Sequence, residues 1–230
     1  MEKESDYDHI ISEFKKQYGI KKVIAFSGGS DSKLNGVPDD DPLQKKFEEF
    51  SKILEERIIS DCLGKFRGYQ IAILTGGTKW GVPNTSSVVA KKYGLKTIGI
   101  YPLVGKKHAL GDEILDLSMC VTPRYLESKW GDESPIFAKL LDGVVVFGGN
   151  AGTLIECAHV LKINETLKKS GESLKYIVPI SGTGGVADGL PFIWAKPEIR
   201  AACMPSFRVT NGFQAADILR EKLDLEDYLE

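Results

Sequence analysis

The 230-residue chain contains 42% hydrophobic and 27% charged residues, a composition typical of a globular protein with enough apolar mass for one large domain or two small ones. Its net charge of −2 gives no reason to expect nucleic acid or an anionic membrane as a partner. No apolar run reaches the roughly 18 residues that a membrane span requires. The acidic start Met1-Glu2-Lys3-Glu4-Ser5-Asp6 does not resemble a signal peptide, so we predict a cytoplasmic protein.

The residue types that usually bind metals are scattered. The four cysteines are widely spaced and form no CxxC pair, and the three histidines lie far apart in the sequence. We therefore expect reduced, partly buried thiols and neither a disulfide framework nor a metal site. The tripeptide Asp39-Asp40-Asp41 before Pro42 is interpreted as the negatively charged start of a helix.

Helical and extended patterns alternate along the chain. The predicted elements are helix 5–18, strand 21–27, helix 42–62, strand 69–75, helix 83–93, strand 95–101, strand 115–121, helix 132–141, strand 143–147, helix 152–169, strand 175–180 and helix 212–223. This alternation predicts an α/β fold, a single-domain, doubly wound (Rossmann-like) parallel sheet with helices on both faces. Residues 189–211 fit no regular pattern and are expected to form a lid or an interface.

The most informative stretch is residues 143–156, Gly-Val-Val-Val-Phe-Gly-Gly-Asn-Ala-Gly-Thr-Leu-Ile-Glu. The β-branched run predicts a strand buried on both faces, and the glycines then lead into a helical pattern. The first turn of a helix leaves N–H groups unpaired and carries a partial positive charge. This corner therefore predicts an anion site, and a phosphate-bearing small molecule is the natural ligand.

Three further strands end in glycine pairs. They are Val23 to Phe26 before Ser27-Gly28-Gly29-Ser30, Ile71 to Leu74 before Thr75-Gly76-Gly77-Thr78, and Tyr176 to Ile180 before Ser181-Gly182-Thr183-Gly184-Gly185. Ligands of open parallel sheets bind outside the carboxyl ends of the strands. We therefore expect the four loops to surround one crevice.

With these loops in place, the chain resembles the SLOG superfamily of Rossmann-like domains, and in particular its LOG-type members. Their hallmark loop, Pro-Gly-Gly-x-Gly-Thr-x-x-Glu, is matched at Gly149, Gly152, Thr153 and Glu156. The upstream loop Thr75-Gly76-Gly77-Thr78-Lys79-Trp80-Gly81 and the strand end Ile98-Gly99-Ile100-Tyr101-Pro102 are also similar. The resemblance covers about residues 21–180.

The chain also departs from this pattern. Gly148 replaces the proline of the hallmark loop, and Asn150 replaces its second glycine. LOG-type enzymes hydrolyse the N-glycosidic bond of nucleoside 5′-monophosphates, and the resemblance implies that Glu156 and an upstream arginine act together. The arginine's place falls at about Glu133, and Arg124 is the nearest arginine upstream. Because a guanidinium grips phosphate through two parallel hydrogen bonds, its loss is not conservative.

For several residues the sequence leaves both a structural and a ligand-binding interpretation open. Glu156 either faces the ligand or simply complements the first turn of its helix, and Thr153 either meets a phosphate oxygen or is an ordinary first-turn residue. Lys79 and Trp80 are either a solvated lysine and a core aromatic, or a charge and a stacking face for a base. Asn84 is either a helix cap or a contact. Lys106-Lys107-His108 is expected to be a solvated loop.

We therefore predict a protein that binds a nucleotide or nucleotide-derived phosphate ligand, with no resident cofactor and no metal. The alternative is a nucleoside 5′-monophosphate phosphoribohydrolase, and weak or absent hydrolysis is expected because the arginine is missing. A dinucleotide-type dehydrogenase is disfavoured, because Ser27-Gly28-Gly29-Ser30-Asp31-Ser32 lacks the G-x-G-x-x-G spacing. The resemblance also implies a homodimer that pairs through helix 152–169, in which Ala158, Val160, Leu161 and Ile163 are apolar.

The candidate site residues fall into two groups. Glu156 and Arg124 are the candidate catalytic residues. The candidate ligand-binding residues are Gly28, Gly29, Gly76, Gly77, Thr78, Lys79, Gly81, Gly148, Gly149, Asn150, Gly152, Thr153, Gly182 and Thr183.

Overall fold

A computed structural model describes residues 4–29, 37–124, 129–192 and 195–229. Ser30, Asp31 and Ser32 of the first glycine loop therefore lie outside the described residues. The strands are β1 (Lys22–Gly28), β2 (Ile71–Thr75), β3 (Lys96–Pro102), β4 (Leu117–Val121), β5 (Gly143–Phe147) and β6 (Tyr176–Pro179). The helices are α1 (Glu4–Tyr18), α2 (Pro42–Gly64), α3 (Gly81–Lys92), α4 (Ser134–Leu140), α5 (Ala151–Ser170), α6 (Gly185–Gly189), α7 (Pro197–Cys203) and α8 (Gly212–Lys222).

The six strands form one parallel sheet in the order β4-β3-β2-β1-β5-β6. The chain starts in the middle at β1, builds outward to β4, and then crosses to the other side of β1 to add β5 and β6. The direction of winding therefore reverses between β1 and β5, where open α/β sheets bind their ligands. Ser27 of β1 is in register with Val146 of β5 at this point.

Helices cover both faces of the sheet, as the alternating sequence pattern predicts. Successive residues of β1 point to opposite faces, so Val23 and Ala25 pack into one core while Ile24 and Phe26 pack into the other. The first core is closed by α1, α4, α5 and α7, and the second by α2, α3 and α8. The predicted single-domain, doubly wound fold is therefore confirmed. Within the described residues, no helix is long and apolar enough to cross a membrane.

Some local features differ from the expected pattern. Helix α3 begins at Gly81 after Trp80, so Asn84 lies inside the first turn and is not the cap. Asp41 does cap α2, because its carboxylate accepts a hydrogen bond of 2.7 Å from the Leu43 N–H. The expected loop at 106–108 belongs to a short 3₁₀ helix, Leu103–His108.

The segment 189–211 contains a regular element that its sequence pattern does not reveal. Helix α7 buries Ile199 and Cys203, which are one turn apart. Seven residues are too few for a helical period to stand out. After α7 the chain returns to the sheet, where the Ser181 N–H donates a 2.7 Å hydrogen bond to the Val209 carbonyl. The described part of this segment therefore covers the β6 edge.

Candidate functional site

Three of the glycine loops contact one another at the carboxyl ends of the central strands. The Val82 N–H at the start of α3 donates to the Gly29 carbonyl at 3.2 Å. A Cβ atom at Gly28 would lie 2.6 Å from Val82 Cγ2 and 2.8 Å from the Phe147 carbonyl oxygen. Gly28 therefore allows the ends of β1 and β5 and the start of α3 to approach closely, so the fold itself requires this glycine.

The loop after β6 joins the same cluster from the other side. The Gly148 N–H donates to Thr183 Oγ1 at 2.9 Å. The Gly148 and Gly149 carbonyls accept hydrogen bonds of 3.0 and 3.1 Å from the first residues of α6. All four predicted loops thus converge on one edge of the sheet. Thr183 braces the hallmark loop, a role that its place in the sequence does not show.

The hallmark loop is held in a conformation that needs glycine. Gly148 and Gly149 have φ values of 42° and 86°, in the left-handed region that residues with a Cβ rarely adopt. A side chain at Gly149 would also overlap with the side chain of Thr153. The buried Thr153 side chain therefore packs against the loop backbone.

Helix α5 presents its N-terminus at this loop without a side-chain cap from the residue that precedes it. Asn150, the residue before the helix, makes no side-chain capping bond, and the first turn holds no acidic residue. Gly152 is exposed and has a negative φ, and a Cβ there would meet no atom within 4 Å. The fold does not require glycine at position 152, so the space beside it is open to a ligand.

Glu156 lies one turn into α5 and reaches the point where the winding of the sheet reverses. Its carboxylate accepts a short hydrogen bond from the Ser27 hydroxyl at the end of β1. Burial, together with the negative charge of Glu133, raises the pKa of Glu156 to about 7, although the hydrogen bond from Ser27 acts in the opposite direction. Glu156 is therefore poised to exchange a proton near neutral pH. The partnership of Ser27 with Glu156 is not apparent in the sequence, because 129 residues separate the two.

Glu133 stands where the resemblance places an arginine. Its carboxylate accepts a hydrogen bond of 2.9 Å from the Gly131 N–H, and burial raises its pKa as well. Arg124 is exposed, and its backbone N–H donates to Asp132 at 2.6 Å. In the part of the chain that the structure describes, no hydrogen bond or ion pair joins Arg124 to Glu156. The neighbour that acts electrostatically on Glu156 is thus a second carboxyl group.

The loop after β2 is fixed by the segment that follows the 3₁₀ helix. Thr78 pairs with Ala109 in an antiparallel bridge, and the Lys79 N–H donates to the His108 carbonyl at 3.0 Å. Gly77, with a φ of 62°, lets β2 and β3 approach so closely that its Cβ would lie 2.9 Å from the Cα atom of Gly99.

Several side chains and backbone groups of this loop face solvent or open space. Lys79 is exposed, and Trp80, 44% exposed, packs its ring 4.4 Å from that of His108. A Cβ at Gly76 would make only ordinary contacts, and Gly81 has a φ of 52°. Trp80 is therefore available as a flat surface.

The amides of the β6 loop are already used within the protein. The Gly182 and Gly184 N–H groups donate to the Asp188 carboxylate at 2.7 and 2.9 Å. The Thr183 hydroxyl donates to the Ile180 carbonyl at 2.6 Å. This loop supports the crevice, and its N–H groups are less accessible to an anion than those of residues 149–153.

The fold and the loops together define a Rossmann-like protein whose glycine loops meet at the switch between β1 and β5, the position of the predicted crevice. A family model described as the SLOG cluster4 family matches residues 59–170. This match spans both the loop after β2 and the hallmark loop, and it confirms the predicted resemblance to the SLOG superfamily.

Solved structures with the same fold cover most of the chain. A molybdenum cofactor binding protein from Rippkaea orientalis has 19% identity and a TM-score of 0.56, over 88% of this chain and 98% of that chain. A structural genomics target, TM1055, has 16% identity and a TM-score of 0.55, over 87% and 99%. The molybdenum cofactor carrier protein of Chlamydomonas reinhardtii has 17% identity and a TM-score of 0.50, over 89% and 99%. No curated protein sequence matches the chain significantly.

Proposed function

We propose that this protein binds a nucleotide or a similar phosphate-bearing small molecule in the crevice between β1 and β5. The phosphate binds to the N–H groups of residues 149–153, and the base or sugar extends toward residues 76–81. The observation that carries the proposal is the open N-terminus of α5, where a Cβ atom at Gly152 would meet no atom within 4 Å, whereas Gly28 and Gly149 are closely packed. A 20-residue helix directs a partial positive charge at this position.

The SLOG family match and the shared fold support binding of a small ligand in general, and the phosphate contact rests on the geometry of α5. Two of the structures with this fold belong to proteins named for binding or carrying molybdenum cofactor. A screen should therefore compare AMP, ADP and inorganic phosphate with adenosine, which lacks phosphate, and with a molybdenum cofactor preparation. AMP and ADP are expected to raise the melting temperature, and adenosine is expected to have little effect.

Gly152→Val tests the location of the phosphate. Valine at the open position should block the N-terminus of α5 and abolish the shift of melting temperature caused by AMP, while the fold survives. Thr166→Val, at an exposed position on the same helix, is the matched control for the effect of valine on helix stability. If Gly152→Val retained the full shift with AMP, the phosphate site would lie elsewhere.

The second candidate function is hydrolysis of nucleoside 5′-monophosphates, and Glu156 is the observation that favours it. A carboxyl group with a pKa of about 7 can donate or accept a proton at neutral pH, and carboxylates also stabilise an oxocarbenium-like sugar. We nevertheless expect little turnover, because Glu133 replaces the arginine that would hold the substrate. A positioned donor of that kind contributes roughly a hundredfold or more in rate.

Release of free base from AMP, CMP and GMP measures this activity directly. Turnover of several per second that is lost in Glu156→Ala would make hydrolysis the principal function. Binding of AMP measured by calorimetry together with no detectable free base would leave ligand binding as the function.

We also propose that the chain forms a homodimer through the exposed side of α5. Val160 and Leu161 are buried in the core, whereas Ala158 is exposed and Ile155 is 38% exposed. This side of the helix is therefore free for a second copy. Light scattering at micromolar concentration should give twice the monomer mass of 25.3 kDa, and a value equal to the monomer mass would contradict the dimer.

A further inference from the structure

A second concave region lies at the β6 edge, outside the crevice. It has a volume of about 810 Å³ and is enclosed by the loop after β6, by α7 and by the segment that returns from α7 to the sheet. Pockets that bind small molecules usually measure about 300–1,000 Å³. Ser181 and Gly182 line this cavity, while the next residue, Thr183, points back to Gly148. The loop therefore separates the cavity from the N-terminus of α5.

The walls of the cavity are unusually apolar and aromatic for a surface exposed to water. Phe192 is 68% exposed and Phe207 is 58% exposed, and both line the cavity together with Pro191 and Met204. Exposed aromatic rings that share one concave surface are a typical feature of a binding site, because an aromatic partner buries a large area against them.

The charge of the cavity is positive. Arg200 of α7, which is half-buried, and the exposed Arg208 both line it. Among the described lining residues the one acidic side chain is that of Asp188, whose two carboxylate oxygens already accept the hydrogen bonds from Gly182 and Gly184. Among the described residues, no salt bridge joins Arg200 or Arg208 to a carboxylate. The described lining therefore holds two guanidinium groups and one carboxylate, which leaves it a net positive charge.

From this arrangement we propose that the cavity is a second ligand site, which binds a small organic anion with an aromatic body. The rings of Phe192 and Phe207 pack against the aromatic part, and Arg200 and Arg208 bind the carboxylate, sulfonate or phosphate group. Guanidinium suits this role because it forms paired hydrogen bonds with such groups and stacks on flat rings. This proposal does not depend on the phosphate site at α5.

The probe for this site is 8-anilinonaphthalene-1-sulfonate, an aromatic sulfonate that fluoresces when it enters an apolar pocket. The folded wild-type protein should bind one equivalent with saturable fluorescence. The double variant Arg200→Gln/Arg208→Gln should weaken the probe's affinity at least tenfold. The affinity for N-phenyl-1-naphthylamine, which has the same rings and no charge, should change less than twofold. Phe207→Ala should weaken the binding of both probes.

Two controls keep the test decisive. Arg57→Gln removes an exposed arginine from α2, in the opposite helix layer, and should leave both affinities unchanged. Because Arg200 is half-buried, Arg208→Gln alone serves as a second variant and should weaken sulfonate binding at least threefold. The proposal is overturned if the arginine variants bind the sulfonate as tightly as wild type does. It is also overturned if probe binding fails to saturate near one equivalent, or if the arginine variants lose equal affinity for the charged and the neutral probe. Loss of probe binding in Gly152→Val would place the probe at the crevice and would also overturn it.

Discussion

Replacing Glu156 by glutamine removes a carboxyl group whose titration is shifted by the fold. Burial raises its pKa from 4.5 to about 7, so the folded protein keeps a proton that the unfolded chain releases between these values. The folded state binds more protons than the unfolded state in this window, and the stability of the wild type therefore falls as the pH rises through it. At 1.36 kcal/mol per pKa unit, the loss between pH 5 and pH 8 is about 2–3 kcal/mol.

Glutamine carries no charge at either pH, so the stability of Glu156→Gln relative to wild type should increase by that amount from pH 5 to pH 8. Urea denaturation at pH 5, 6, 7 and 8 measures the difference. Glu13→Gln, which changes an exposed carboxyl group on α1, is the matched control and should show no comparable trend. A relative stability of Glu156→Gln that stayed constant across this pH range would refute the raised pKa. The acid–base role argued for this residue would then fail with it.

Three further predictions concern the same loops. Ser27→Ala removes the hydrogen bond that favours the ionised carboxylate, so the pKa of Glu156 should rise further, as a side-chain NMR titration would show. Gly149→Ala should destabilise the fold by about 2–4 kcal/mol in a denaturation experiment, because residue 149 has a positive φ and the added methyl group would overlap with Thr153. Gly152→Ala should change the stability by less than about 0.5 kcal/mol, because the added methyl group meets open space. AMP should bind more weakly as the pH rises through 7, since ionised Glu156 repels phosphate. Calorimetry should show a smaller pH dependence in Glu156→Gln, and equal slopes would contradict the proposed proximity.

The sequence predicts the fold and the position of the hallmark loop well, because both depend on local patterns. The run from Val144 to Phe147 is buried on all sides, and its glycines mark the turn into α5. Those patterns act over a few residues, and the convergence of the four loops then follows from the rule that parallel strands end at one edge of a sheet.

The sequence does not show which of these glycines and backbone N–H groups are already engaged in packing or hydrogen bonds within the protein. The glycine pairs look equivalent in sequence, yet Gly28 and Gly77 serve close packing, and the amides of the loop after β6 are held by Asp188. Residue 152 combines an open environment with the N-terminus of a 20-residue helix. The contact between Ser27 and Glu156 is likewise invisible, because it joins residues from opposite halves of the chain.

The carboxyl group of Glu133 changes what the crevice can do. An arginine at this position would attract phosphate and lower the pKa of Glu156, whereas Glu133 contributes negative charge and raises that pKa. In the proposed phosphate site, the attraction for phosphate comes from the backbone N–H groups and the dipole of α5, and Glu156 helps only while it carries its proton. The ability to stabilise a positively charged sugar is retained, but the group that would hold the substrate in place is lost. This difference is the reason that we propose binding of a phosphate-bearing ligand, and not its cleavage, as the function of the crevice.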